Sequence, residues 1–196
     1  MKKRIVVILT LVLLLALVTQ PALAKPLLNN FNGTDGRDVY EGTSKSDVIR
    51  GFGGNDDLEG GGGNDTINGG NGSDVLDGDS GSDSIRGGNG KDTIFGGGNN
   101  DRINGDAGND TINGDSGNDT INGGDGKDKI RGGTGNDVMY GDAGNDNLLG
   151  NEGNDRIYGG PGADIINGGP GYDICYKDAS DKLVSDCEVV YTVSNQ

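Results

Sequence analysis

From Gly33 to Tyr176 the chain repeats itself every nine residues, sixteen times in succession without a slip in phase. The first position of every unit is Gly and the sixth is Asp. Position 4 is Gly in fourteen units, Lys45 and Asn99 being the exceptions. Position 8 is apolar throughout: Tyr40, Ile49, Leu58, Ile67, Leu76, Ile85, Ile94, Ile103, Ile112, Ile121, Ile130, Met139, Leu148, Ile157, Ile166 and Cys175. Such a period marks a solenoid, in which each unit buries its apolar residue only by stacking on its neighbours.

The spacing also decides the local structure. Glycines at positions 1, 4 and often 2 each weaken a helix by about 1 kcal/mol, and nothing apolar recurs at helical spacing. Positions 7 to 9, such as Thr111-Ile112-Asn113, read as a three-residue strand with the middle side chain inward and its neighbours outward. The glycine-rich remainder reads as a turn with left-handed angles, which Asn tolerates best among the other residues. Two units make an eighteen-residue coil, so the expectation is an all-β parallel solenoid of eight coils. At ~4.8 Å per coil it would be about 40 Å long. Two small parallel sheets would face each other across a line of Ile and Leu.

One aliphatic side chain in nine is a thin core, and each coil sets two Asp carboxylates close to the previous pair. A cation between the loops would relieve that repulsion. The candidate ligands are the position-6 residues Asp38, Asp47, Asp56, Asp65, Asp74, Asp83, Asp92, Asp101, Asp110, Asp119, Asp128, Asp137, Asp146, Asp155, Asp164 and Asp173. Carboxylates and carbonyls form an all-oxygen set that selects a hard ion of flexible coordination, Ca²⁺ rather than Zn²⁺ or Cu²⁺, while Mg²⁺ resists dehydration.

The pattern G-G-x-G-x-D-x-U-x, complete in GGNGKDTIF (Gly87 to Phe95) and GGTGNDVMY (Gly132 to Tyr140), resembles the glycine-rich nonapeptide of the RTX family. The resemblance implies a parallel β-roll, a right-handed β-solenoid with two units per coil, with each Ca²⁺ between one loop and the loop a coil further on. The position-6 Asp would give its side chain and the Gly-rich backbone its carbonyls, for at most about 14 sites. The second unit, GTSKSDVIR, departs from the pattern in lacking Gly at positions 2 and 4. Unlike many RTX toxins and enzymes, the chain leaves no room for a catalytic region, and a non-enzymatic protein is expected.

Outside the repeat, residues 1–24 read as a signal peptide, with Lys2, Lys3 and Arg4 before an apolar run and Ala22-Leu23-Ala24 as the cleavage site. The apolar run is shorter than the ~20 residues of a spanning helix, so no membrane span is expected after cleavage. All 31 acidic residues and 13 of the 16 basic ones follow the leader, and 13 minus 31 gives −18, which argues against nucleic-acid partners. Residues 25–32, with Leu27, Leu28 and Phe31, and residues 177–196 read as caps on the sixteen-unit roll of residues 33–176. In an oxidising compartment Cys175 and Cys187 are expected to form a disulfide that draws the tail across the open end as a lid; two buried free thiols are the alternative.

Some features mislead. GDSGS and GDSGN look like a serine-protease nucleophile segment, but the chain has no His to act as base. Sequons such as Asn64-Asp65-Thr66 are products of the repeat. Tyr140, Tyr158 and Tyr176 recur eighteen residues apart and are expected to stack on one outer face, as a platform for a sugar or partner, or beneath the C-terminal segment. The expected protein is secreted and extracellular, folds on Ca²⁺, and serves as a structural, adhesive or surface-interaction module toward cell-surface polysaccharide or protein. A ligand- or ice-binding surface and a polysaccharide-modifying enzyme are the alternatives.

Overall fold

The computed structural model describes residues 29–193. The expected leader, and Leu27 and Leu28 of the expected N-terminal cap, lie outside the described residues. What is described is all strand, wound as a parallel β-roll of about nine turns. The odd-numbered strands form one sheet: β1 (Asn30–Asn32), β3 (Val48–Gly53), β5 (Thr66–Asn71), β7 (Ser84–Asn89), β9 (Arg102–Ala107), β11 (Thr120–Gly126), β13 (Val138–Gly144), β15 (Arg156–Tyr158), β17 (Ile174–Lys177) and β19 (Val189–Thr192). The even-numbered strands form the other: β2 (Val39–Thr43), β4 (Asp57–Gly61), β6 (Val75–Asp77), β8 (Thr93–Gly98), β10 (Thr111–Ser116), β12 (Lys129–Thr134), β14 (Asn147–Glu152), β16 (Ile165–Asn167) and β18 (Leu183–Ser185).

Like positions stack on like. Ile112 pairs with Ile94 on one side and Ile130 on the other, and the same holds along both sheets. All sixteen position-8 side chains are buried in one continuous row, Tyr40 being the most exposed at 8%. Among the described residues no helix is long and apolar enough to cross a membrane.

Most strands are longer than the expected three residues, running from position 7 through position 3 of the next unit, as in Thr66–Asn71. The glycines read as turn are partly sheet, because the position-1 glycines stack on one another and the backbone of the next coil lies too close to admit a side chain. A Cβ on Gly69 would meet Gly87 O at 2.7 Å. Strands β15 and β16 stop at three residues, where Pro161 and Pro170 occupy position 3 and cannot donate the bond that Gly98 N–H gives Asp79 O at 2.7 Å.

The ends differ from the lid that the sequence suggests. The C-terminal tail does not cross the open end; it adds a further coil. Val184 pairs with Ile166, Val190 pairs with Cys175, and the loop between β18 and β19 shrinks to Asp186, Cys187 and Glu188. Cys175 is fully buried and disulfide-bonded to Cys187, closing a separation of 12 residues. A closure of that size stabilises by roughly 3 kcal/mol. Cys187→Ser should therefore raise the Ca²⁺ concentration at the folding midpoint, read by circular dichroism; an unchanged midpoint would mean that strand pairing alone holds this end. At the other end Phe31 stacks on Tyr40 with ring centroids 4.2 Å apart.

The expected tyrosine stack is present and extended. Tyr140, Tyr158 and Tyr176 stack at 4.8 and 4.3 Å, and the tail contributes Tyr191 as a fourth ring at 5.0 Å instead of covering the three. The rings face one another along the roll axis. Their faces are thereby occupied, which removes most of the flat surface a sugar platform would need.

Candidate metal centre

The loops at the two lateral edges of the roll carry the position-6 aspartates. Asp47 through Asp173 are all buried, none more than 4% exposed, while Asp38 in the first loop is half-buried. Each carboxylate has one oxygen accounted for. Asp92 N–H donates to Asp110 Oδ1 at 2.8 Å, Asp110 N–H donates to Asp128 Oδ1 at 2.8 Å, and the same bond joins each aspartate to its counterpart eighteen residues on as far as Asp173. In the last coil Asp181 Oδ1 accepts from Asp164 N–H and Glu188 Oε2 from Asp173 N–H, so two off-phase acids complete the ladder.

The second oxygen is the functional clue. From Asp56 to Asp173 every position-6 Oδ2 is buried and has no hydrogen-bond partner. A buried polar atom without a partner costs about 1–3 kcal/mol, and more when charged. Fourteen in register cannot be an accident of packing. Burial drives these acids up: Asp65, Asp83, Asp92 and Asp146 to about 6, and Asp101, Asp110, Asp119, Asp155 and Asp164 to about 7, with neighbouring carboxylates adding to the effect.

The first two loops are built differently. Thr43 occupies position 2, and both its N–H (2.7 Å) and its hydroxyl (2.8 Å) reach Asp47 Oδ2, leaving Oδ1 as the orphan. Thr34 does the same for Asp38 Oδ2, at 2.6 and 3.1 Å. Elsewhere position 2 is left-handed, occupied by Gly or by residues such as Asp106 (φ 69°) and Asn151 (φ 71°), which turns its N–H away from the carboxylate. The sixteen candidate aspartates thus divide into two already served by a threonine and fourteen with a free, buried Oδ2.

A second ladder, not foreseen from the sequence, runs the opposite way. Position-5 Asn side chains accept from the position-5 N–H of the next coil, as when Asn118 Oδ1 takes Asn136 N–H at 2.7 Å and Asn136 Oδ1 takes Asn154 N–H at 2.8 Å. Its signal was present: Asn stands at position 5 in eight of the sixteen units. The loops come very close at position 4, where a Cβ on Gly72 (φ 137°) would lie 1.5 Å from Gly54 O. Carbonyl oxygens are therefore stacked along each edge.

Among the described residues no group of three or more His, Cys, Asp or Glu side chains converges. An ion in a loop would be held by isolated carboxylates plus backbone carbonyls, an all-oxygen set with an unpartnered Oδ2 in every loop from Asp56 onward, and these residues suit Ca²⁺. Residues 32–67, 68–103, 104–139, 113–148 and 140–175 match the family model described as RTX calcium-binding nonapeptide repeat (4 copies). The chain belongs to the RTX calcium-binding repeat family. A comparison with curated proteins gave no match. In this RTX chain the repeats imply calcium binding, and the ion would supply positive charge to carboxylates that the protein leaves half-satisfied.

Proposed function

We propose that this chain is a secreted, non-catalytic module that is largely unfolded until calcium reaches it, and that then serves as a structural or adhesive element at the cell exterior. The observation that carries this reading is the row of fourteen buried, unpartnered Oδ2 atoms from Asp56 to Asp173. Those aspartates are the proposed ligands; Asp38 and Asp47, whose Oδ2 atoms Thr34 and Thr43 already serve, are proposed to take the smallest part. Where calcium is scarce the charges repel and the thin core does not hold. Extracellular modules with Kd of ~10⁻⁴ to 10⁻³ M would be filled outside the cell and empty within it. The leader-like residues 1–24 support export, and the polar outer faces support contact with polysaccharide or protein.

Circular dichroism during titration with Ca²⁺, and separately with Mg²⁺, tests the reading. The expected result is a coil-to-β transition below about 10 mM Ca²⁺ and a much weaker response to Mg²⁺. A coil spectrum persisting at that concentration, or equal potency of the two ions, would overturn it.

A further inference from the structure

The outward face of the even-numbered sheet has a charge order that the calcium loops do not explain. Positions 7 and 9 form two registered columns on it. One column runs Val39, Asp57, Val75, Thr93, Thr111, Lys129, Asn147, Ile165. The other runs Glu41, Glu59, Asp77, Phe95, Asn113, Arg131, Leu149, Asn167. Acids occupy the N-terminal third, and bases sit together on β12. Four of the large hydrophobic residues most exposed in the molecule also lie here: Val39, Val75, Phe95 and Ile165. In a chain of net charge −15, neither Lys129 nor Arg131 is ion-paired among the described residues. On the acidic side Glu59 is crowded by Asp79, Glu41 and Asp77, while Asp57 has only a loose 4.0 Å pair with the exposed Arg37.

The positions are symmetric. β4, with Asp57 and Glu59, lies two strands from β8 in one direction, and β12, with Lys129 and Arg131, lies two strands from it in the other. We propose that this face is an isologous dimer interface whose occupant is a second copy of the chain, related by a two-fold axis that passes along β8 at Phe95. Rotation about an axis parallel to the strands keeps each column opposite itself and reverses the coil order. Glu59 then meets the partner copy's arginine at position 131, Asp57 meets its lysine at position 129, Asp77 faces its Asn113 counterpart, and the two phenylalanines meet on the axis. One operation satisfies four charged pairs at once, which is the signature of a self-complementary surface. A shallow groove of about 220 Å³ beside Lys129, Arg131 and Leu149 leaves room for the incoming carboxylates.

Seven strands overlap, so the contact is roughly 30 Å by 15 Å and buries on the order of 900 Å² in total, small for a specific interface. The dimer is therefore weak, forms at micromolar concentrations and above, and loosens with salt. It requires the folded roll and so rests on calcium-driven folding.

Sedimentation equilibrium in saturating Ca²⁺, with circular dichroism on the same samples, tests it. The parent protein should dimerise. The acid-only variant Lys129→Glu/Arg131→Glu and the base-only variant Asp57→Lys/Glu59→Lys should each be monomeric at concentrations where the parent is dimeric, and an equimolar mixture of the two should restore a heterodimer. Phe95→Ser, outward-facing and remote from the loops, should weaken the parent dimer at least tenfold without altering the β spectrum. A monomeric parent, a charge variant that dimerises alone, or a mixture that stays monomeric overturns the interface. A chain that shows no β spectrum in Ca²⁺ would instead refute the folding reading.

Discussion

Stripped of calcium at pH 7.5 the roll should unfold, and lowering the pH to about 5 without restoring the metal should bring β structure back. The buried aspartates are held at about 6 to 7 in the folded coil, against 3.8 for a free carboxyl, with burial the main cause and neighbouring carboxylates the second. Between those values the folded chain binds more protons than the unfolded one. The stabilisation that protons provide is complete below pH 3.8 and is lost as pH rises through 6 to 7. Each such group changes stability by about 1.4 kcal/mol per pH unit within the window, so several together outweigh a typical domain's margin. At neutral pH calcium would take the place of the protons, and its binding should release protons at pH 6 more than at pH 8. Circular dichroism in chelator across pH 5 to 8, with light scattering to exclude aggregation, decides it. A coil at pH 5, or an undiminished β spectrum in chelator at pH 7.5, contradicts the account.

The second large effect is positional. Asp110→Ala, in the middle of the stack, removes the acceptor of Asp92 N–H and one orphan oxygen together. The bare N–H alone costs about 1–3 kcal/mol, and loss of the proposed loop site would separate the coils on either side into two shorter rolls. In a nearest-neighbour solenoid such a break is worse than fraying. Asp38→Ala touches only the first loop, where Thr34 already meets the carboxylate. The calcium midpoint should rise several-fold for Asp110→Ala and less than twofold for Asp38→Ala. Asp110→Asn separates the two roles, because it keeps an oxygen for Asp92 N–H but loses the charge. If it behaves like the parent, the side chain is only a backbone acceptor; equal midpoints for the two alanine variants would refute the positional argument.

Much of this fold is legible in the residues themselves. Position 8 is apolar in every unit and position 6 is always Asp, so the inward row and the acid ladder can be read without coordinates. Other features are hidden because they depend on what a residue meets one coil away. The glycines of positions 1 to 3 look like turn on propensity, yet extend the strands because the backbone of the coil above or below comes too close for a side chain. The ninth coil is obscured because Asp181 and Glu188 reach the ladder from the wrong phase, after a shortened loop. The threonine contacts in the first two loops are likewise visible only once the N–H and hydroxyl of Thr43 are seen donating to the same Asp47 oxygen.

Sixteen nearly interchangeable units create a problem that the two ends solve. A coil displaced by eighteen residues would still set glycine against glycine and isoleucine against isoleucine, so the middle of the chain can hardly distinguish correct pairing from a skipped turn. The distinctive contacts are terminal: Phe31 on Tyr40 at one end, and the bond from Cys175 to Cys187 at the other. A skipped coil would have to bulge out as a loop, and a pinned terminus gives winding a fixed origin from which each turn can be counted. The covalent link near the C-terminus is therefore as much a zero mark for the winding as a source of stability, and its loss should show as heterogeneous, slowly correcting refolding.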